Sequence, residues 1–168
     1  PDIPHKTEAG AVRLNVHSLA ELKLAAREVI TAAQRYKPGS RINGVLVSEM
    51  ADGVEVIVGA VNDRFFGPTV MFGLGGLFTE LLQDVSYRFA PFDLDTAREM
   101  IRATRTHPLL TGYRGRPALA ADALAEVLVR VSLLAADHAE RIAEIDINPL
   151  IVGANGVVAA DALIVLRD

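Results

Sequence analysis

Near the C-terminus, Glu144, Asp146 and Asn148 alternate with Ile145 and Ile147. In an extended strand that period of two turns all three polar side chains to one face. Asp161 follows beyond a turn, among Ala159, Ala160, Ala162 and Leu163, which offer it no local polar company. Two carboxylates and an amide oxygen on one sheet face suit a hard divalent cation such as Mg2+, which takes oxygen ligands and keeps several waters. The same pattern also describes a solvated strand face with an aspartate beside a turn. Gly73-x-Gly75-Gly76 could cradle an anion on backbone N–H groups, or could serve close backbone packing. It matches neither the dinucleotide fingerprint nor the P-loop. His5-Lys6 before a glycine-containing turn could face a phosphate, and so could Arg114, whose guanidinium clamps oxyanions bidentately. The bland readings are an exposed chain end and a solvated loop arginine. Glu49 and Glu55 flank the tight-turn dipeptide Asp52-Gly53, where a carboxylate can hold a ribose hydroxyl or simply face water. His17, His107 and His138 have no evident partners.

The elements that must position these groups are legible in the hydrophobic periods. Val12, Leu14 and Val16 alternate with polar residues as a half-buried strand would. Ser18 with Glu21 three residues on forms a capping box, opening a helix whose apolar positions run from Leu19 to Ala33 before Lys37-Pro38-Gly39 stops it. Residues 44–48 read as a short buried strand. Val54–Val61 and Thr69–Phe72 read as an antiparallel pair, followed by a short helix over 77–83 and a strand over 86–90. Asp93 caps a helix expected to reach about His107, and Leu109–Pro117 reads as a loop. A long helix spans Ala118–His138 with a stripe of Leu124, Val127, Leu128, Val131 and Leu134. Strands over Ile142–Leu150 and Val157–Leu166 then close a hairpin through Gly153–Gly156. Mixed strands and helices with several hairpins favour an α+β fold over a doubly wound parallel sheet.

Composition bounds the function. The chain has 168 residues, 51% hydrophobic and 23% charged, which suits a well-cored globular unit and not a disordered one. With 17 Lys+Arg against 21 Asp+Glu the net charge is -4, which argues against general nucleic-acid binding while leaving room for a local phosphate site. No apolar run is long enough to span a bilayer, so no membrane association is expected. The absence of cysteine excludes disulfides and thiolate chemistry, and the default compartment is cytoplasmic. The chain opens Pro1-Asp2-Ile3-Pro4 without a methionine, which reads as a piece of something longer.

Five blocks fall together in one order: His5-Lys6-Thr7-Glu8-Ala9-Gly10-Ala11-Val12-Arg13-Leu14; Val54-Glu55-Val56-Ile57-Val58-Gly59; Phe66-Gly67-Pro68 with Met71-Phe72-Gly73-Leu74-Gly75-Gly76; Gly112-Tyr113-Arg114-Gly115; and Glu144-Ile145-Asp146-Ile147-Asn148-Pro149-Leu150. Together they resemble the ATP-grasp domain of NDP-forming (ADP-forming) acyl-CoA synthetases. The last block also resembles a strand of succinyl-CoA synthetase β subunits. The resemblance covers essentially the whole chain. It implies an N-terminally truncated ATP-grasp fold of two α+β lobes, with residues 1–48 in a partial first lobe and 49–168 in the second. Enzymes of this kind convert acyl-CoA, ADP and phosphate to acid, CoA and ATP through an acyl phosphate and a phosphohistidine.

By motif position, the resemblance makes Asn148 and Asp161 the Mg2+ ligands and Asp146 the acid that orients the phosphorylated imidazole. It puts Glu49 at the hinge that meets adenine and ribose, with Glu55 just beyond it. Lys6 would attract phosphate, as would Arg114, and His5 matches a histidine proposed as a second phosphate carrier in some archaeal relatives. Two departures stand out: Gly10-Ala11 where relatives often have two glycines, and Arg64 where Asp-Pro is usual after Asp63. The family's ATP-grasp region begins some tens of residues upstream, with a nucleotide-binding lysine. The CoA-binding lobe and main phosphohistidine lie outside this chain, so they are the implied partner and the isolated segment should not complete the reaction. Homo-oligomeric assembly is compatible with all of this. The alternative is a regulatory, catalytically degenerate module of the kind fused to acetyltransferase domains in some bacterial protein acetylases. Retention of His5, Asp146, Asn148 and Asp161 favours the enzyme.

Overall fold

The computed structural model describes residues 2–3, 6–75, 84–105, 107–113, 115 and 117–167. They divide into two compact units, Pro1–Met50 and Ala51–Asp168. His5, Arg114 and the helix expected over 77–83 lie outside the described residues.

The first unit is built on helix α1, Leu19–Tyr36. Ser18 caps it, its hydroxyl accepting the Glu21 N–H at 3.2 Å. The Glu21 carboxylate reaches one residue further back than a capping box requires and accepts the His17 N–H at 2.8 Å. That bond holds the Glu21 carboxyl below its ordinary range. Ala25 and Ala33 are the helix's buried residues, while Leu19 stands exposed. Before the helix, residues 6–11 form a turn in which the Gly10 N–H meets Thr7 O at 3.0 Å and the Ala11 N–H meets Lys6 O at 2.9 Å. Gly10 takes φ +64, a conformation that costs glycine little.

The strands expected at 12–16 and 44–48 do not form. Both segments are irregular, with Leu14, Leu46 and Val47 exposed. Alternation dictates which way side chains would point, but a strand exists only where its N–H and C=O groups find a neighbour. Neither segment has one among the described residues.

The second unit is an antiparallel sheet of six strands: β1 Val54–Asp63, β2 Gly67–Leu74, β3 Val85–Phe89, β4 Ile142–Val152, β5 Val157–Ala159 and β6 Ala162–Leu166. Their order is β3-β2-β1-β4, with β5 and β6 both on the far edge of β4. Among the described residues three helices interrupt the strands: α2 Leu94–Arg102, α3 His107–Thr111 and α4 Ala121–Asp137. One face of the sheet supplies Val56, Val58, Val70, Phe72 and Ile145 to the core. Met100 of α2, Leu110 of α3, and Leu124 and Leu128 of α4 close over it.

Several details differ from expectation. Helix α2 ends at Arg102, and the segment expected as loop after Pro108 begins with a helical turn, α3, which holds Pro108 at its second residue. Proline is tolerated there because a first-turn N–H has no intrahelical acceptor. The buried stripe of α4 is Leu124, Ala125, Leu128, Val131, Ser132 and Ala135, rotated from the expected one so that Leu134 is left exposed. The last expected strand is split into β5 and β6 at Ala160-Asp161. There it faces Pro149, which has no N–H to give the ladder.

Candidate functional site

The helices cover one face of the sheet, and the other carries the candidate chemistry. On β4, Ile142 and Ile145 are buried against the helices, while Glu144 and Asn148 are exposed and Asp146 is half-buried. Registers extend this face across the sheet. Asp146 lies opposite Gly59 of β1 and Leu163 of β6. Gly59 in turn lies opposite Met71 of β2, and Met71 opposite Tyr87 of β3. A transverse row Tyr87–Met71–Gly59–Asp146–Leu163 therefore shares the face away from the core, because directly opposed residues point the same way. Glu55 belongs to the same face of β1, four residues and about 13 Å before Gly59.

The β4 strand bulges against β1 between the pairs Val56–Leu150 and Val58–Ile147, which is where Asn148 and Pro149 sit. Bulges at such places re-aim side chains. On the other edge the register is kept: Leu150 pairs with Ala159 and Ile147 with Ala162, which sets Asn148 opposite Asp161. The Asn148 N–H donates to Asp161 O at 3.2 Å, and the Ala160 N–H to Pro149 O at 3.0 Å. The register thus sets two residues with oxygen-bearing side chains opposite one another across consecutive segments of the sheet edge, with Asp146 two residues away on the same face. One amide oxygen and one carboxylate are hard donors that match a Mg2+ ion retaining most of its water. Among the described residues no group of three or more His, Cys, Asp or Glu converges as a metal cage would require.

Asp161 is not the desolvated carboxylate its apolar neighbours suggested. It is exposed, as are Ala159, Ala160 and all of β6, and one carboxylate oxygen accepts the Ala162 N–H at 3.1 Å. Apolar neighbours in sequence bury a residue only when a second layer covers them, and this edge has none among the described residues. What singles out Asp161 is its place opposite Asn148.

The remaining candidates are placed separately. Lys6 lies in the turn of the first unit, exposed, and Glu49 lies in the irregular segment that ends that unit, also exposed. Glu55 is exposed on β1, and its carbonyl accepts the Gly75 N–H at 2.9 Å. That bond bears on the glycine run. A Cβ on Gly75 would lie 3.0 Å from Glu55 C and 3.1 Å from Val56 C; one on Gly73 would lie 2.7 Å from Val85 Cγ1 and 2.9 Å from Asp84 O. Both glycines are required by backbone packing of β1, β2 and β3. The sequence reading passed over Gly59 except as part of a motif. Its signal was a glycine in the middle of a β-branched strand, where glycine is otherwise disfavoured.

The ATP-grasp domain family matches residues 1–166. The chain belongs to that family. Within it, the chain is 44% identical over 167 residues to "Acetate--CoA ligase [ADP-forming] I subunit beta" of Pyrococcus furiosus, covering 99% of this chain and 72% of that one. It is 42% identical over 169 residues to "Acetate--CoA ligase [ADP-forming] I" of Archaeoglobus fulgidus, covering all of this chain and 24% of that protein. It is therefore an ATP-grasp domain of the ADP-forming acetyl-CoA synthetase type. A solved relative is the dinucleotide-forming acetyl-coenzyme A synthetase 1 of Ca. Korarchaeum cryptofilum, in complex with coenzyme A, Ca-AMPCP and HgCl+. It matches with a TM-score of 0.91 at 42% identity, covering 99% of this ATP-grasp chain and 72% of that one. A second structure of that enzyme, with coenzyme A and Mg-AMPPCP, has its phosphohistidine segment pointing towards the nucleotide binding site; it matches with a TM-score of 0.82 at 40% identity and covers 99% and 73% of the two chains. The fold is thus the α+β ATP-grasp fold expected from the sequence. No helix among the described residues is long and apolar enough to cross a membrane.

Proposed function

We propose that this chain is the nucleotide-binding and phosphoryl-transfer part of an ADP-forming acyl-CoA synthetase. The whole enzyme would convert acyl-CoA, ADP and phosphate to acid, CoA and ATP. The observation that carries the reading is the backbone pairing of Asn148 with Asp161 at the β4–β6 edge, next to Asp146 on the sheet face away from the helical core. High identity to ADP-forming acetate–CoA ligases supports it. Residues 1–48 and 49–168 are taken as contributions to two lobes.

Asn148 and Asp161 would hold Mg2+ through their side-chain oxygens. The ion supplies charge neutralisation at the transferring phosphoryl group. Asp146 orients the imidazole that carries the phosphoryl group, accepting the N–H of the ring nitrogen that does not react. Glu49 and Glu55 serve adenine and ribose, and Lys6 and Arg114 draw the phosphates in. His5 acts as a second phosphate carrier, with Lys6 favouring the neutral, nucleophilic imidazole. CoA and the main phosphohistidine belong to a partner domain or subunit, which also selects the acyl group. The setting is cytoplasmic.

The test uses the full-length protein with its CoA-binding partner, supplied with Mg2+ and ATP labelled on the γ-phosphate. Acid-labile, base-stable label on a partner histidine is expected with the wild type and is lost in Asp146→Ala. Absence of such label with the wild type would overturn the reading.

A further inference from the structure

Gly59 stands apart from the other glycines of the sheet. Those at 53, 73 and 75 are fixed by backbone approach: an added Cβ would come within 2.3 Å of Val152 O, 2.9 Å of Asp84 O and 3.0 Å of Glu55 C respectively. Gly67 has φ +75 in a turn. At Gly59 the backbone needs no glycine. The added Cβ would meet Ile145 O and Met71 Cε, both at 3.6 Å, which is ordinary contact. Its φ is not among the positive ones. A mid-strand residue with that freedom favours a β-branched side chain, as its neighbours Ile57, Val58 and Val61 show.

Glycine here therefore forgoes strand stability that the fold could have had, and the reason lies on the open face. Gly59 is the gap in the row Tyr87–Met71–Gly59–Asp146–Leu163. Along β1 it is flanked by the outward residues Ile57 and Val61. It is directly opposite Asp146 and is not fully buried. The row therefore steps down at Gly59 beside Asp146, and the nearest side-chain atom is the end of the flexible Met71 side chain, 3.6 Å from where a Cβ would stand. A strand-interior glycine marks a bulge, a bend or a close approach by another group, and the bulge of β4 against β1 lies between Val56 and Val58, not at Gly59.

We infer that Gly59 is a positioning residue: its missing side chain leaves the space through which the partner's phosphohistidine ring reaches Asp146. This rests on the function proposed above. In the step served, ADP's terminal phosphate oxygen attacks the phosphorus of the phosphohistidine. A P–O bond forms and the P–N bond breaks. Its electron pair stays on the ring nitrogen, which takes up a proton. Gly59 contributes room and no chemistry, so a side chain there displaces the ring from Asp146.

The test is a graded series, Gly59→Ala and Gly59→Val, in the full-length protein with its partner. Three quantities are read: label transfer from γ-labelled ATP to the partner histidine, Mg–ATP affinity by calorimetry, and thermal melting. Both variants should melt at or above the wild-type temperature, since the strand gains a better residue. Both should keep Mg–ATP affinity within about threefold, while transfer falls about tenfold for Ala and about a hundredfold for Val, the scale of an ångström-sized misplacement. Undiminished transfer in both variants would overturn the inference, as would Mg–ATP affinity falling in step with transfer, which would assign the gap to the nucleotide. The alanine variant has room to fold, so a valine variant that fails to fold does not remove the test. A wild type that transfers no label refutes the proposed function, and the inference with it. A wild type that transfers while the variants match it refutes the inference alone.

Discussion

Gly75→Ala separates the two explanations of the glycine run. The new Cβ would sit 3.0 Å from Glu55 C, 3.1 Å from Glu55 O and 3.1 Å from Val56 C. All three are backbone atoms of the central strand β1, which is itself bonded to β2 and β4 and cannot swing aside as a flexible side chain would. Either the chain after β2 lifts or β1 shifts. Lifting stretches the bond from the Gly75 N–H to Glu55 O, now 2.9 Å. Val56 on that strand is fully buried, so the strain enters the core. Overpacking of this kind costs about 1–3 kcal/mol. A domain of this length loses about 2–4 °C of melting temperature per kcal/mol, so the expected drop is roughly 2–12 °C. Differential scanning calorimetry of wild type and variant reads it directly. Gly73→Ala should behave alike, because its Cβ meets Asp84 O at 2.9 Å. An unchanged melting temperature in both would refute the packing argument. Loss of Mg–ATP affinity with melting unchanged would assign these glycines to an anion instead.

Other consequences are simpler to state. Ser18→Ala removes the acceptor for the Glu21 N–H and should lower stability by about 1 kcal/mol, read by urea unfolding followed at α1's circular dichroism. Asn62 is buried and its amide donates to the carbonyl of Ile142 and, at 3.5 Å, to that of Ala135. Asn62→Leu leaves those carbonyls short of a partner and should cost about 1–3 kcal/mol, with Mg–ATP affinity unchanged by calorimetry. The Asp63 carboxyl is held below its ordinary range by the N–H groups of Phe66 and Phe65, and that of Asp93 by the N–H of Thr96. Because their folded pKa values are depressed, their stabilisation is present above about pH 4 and is lost as pH falls through the folded values. Urea midpoints measured from pH 6 to pH 2 should fall less steeply in Asp63→Asn and Asp93→Asn, and equal slopes would contradict this.

Much of the second unit was legible in the residues because its signals are local. The β-branched run from Val54, the Asp93 cap and the alternation at Glu144–Asn148 each specify an element without reference to anything distant. The strands expected at 12–16 and 44–48 failed for the opposite reason: alternation is local, whereas a ladder needs a partner. At the site, the alternation correctly put Glu144, Asp146 and Asn148 on one face, but it could not reveal the bulge at Asn148-Pro149 or the opposition of Asn148 and Asp161. Those depend on register between strands with a turn between them. The supposed isolation of Asp161 was a misreading of the same type, since burial of β6 depends on a layer that sequence neighbours do not specify. Gly59 showed in the sequence only as a glycine inside a β-branched strand, which does not say why it is there. That a side chain there would meet nothing closer than 3.6 Å is shown only by the packing around it.

In the function proposed here the β4–β6 edge holds the metal of a bound nucleotide. Titrating ATP into the full-length protein with and without Mg2+, for wild type and Asp161→Ala, tests it most directly. The wild type is expected to bind ATP in a Mg2+-dependent way. In the variant, which removes one of the two proposed protein ligands at an exposed edge, that binding is expected to be weaker by about 10–100-fold, with ATP affinity in the absence of Mg2+ little changed. Equal Mg2+-dependent affinity in wild type and variant would contradict it.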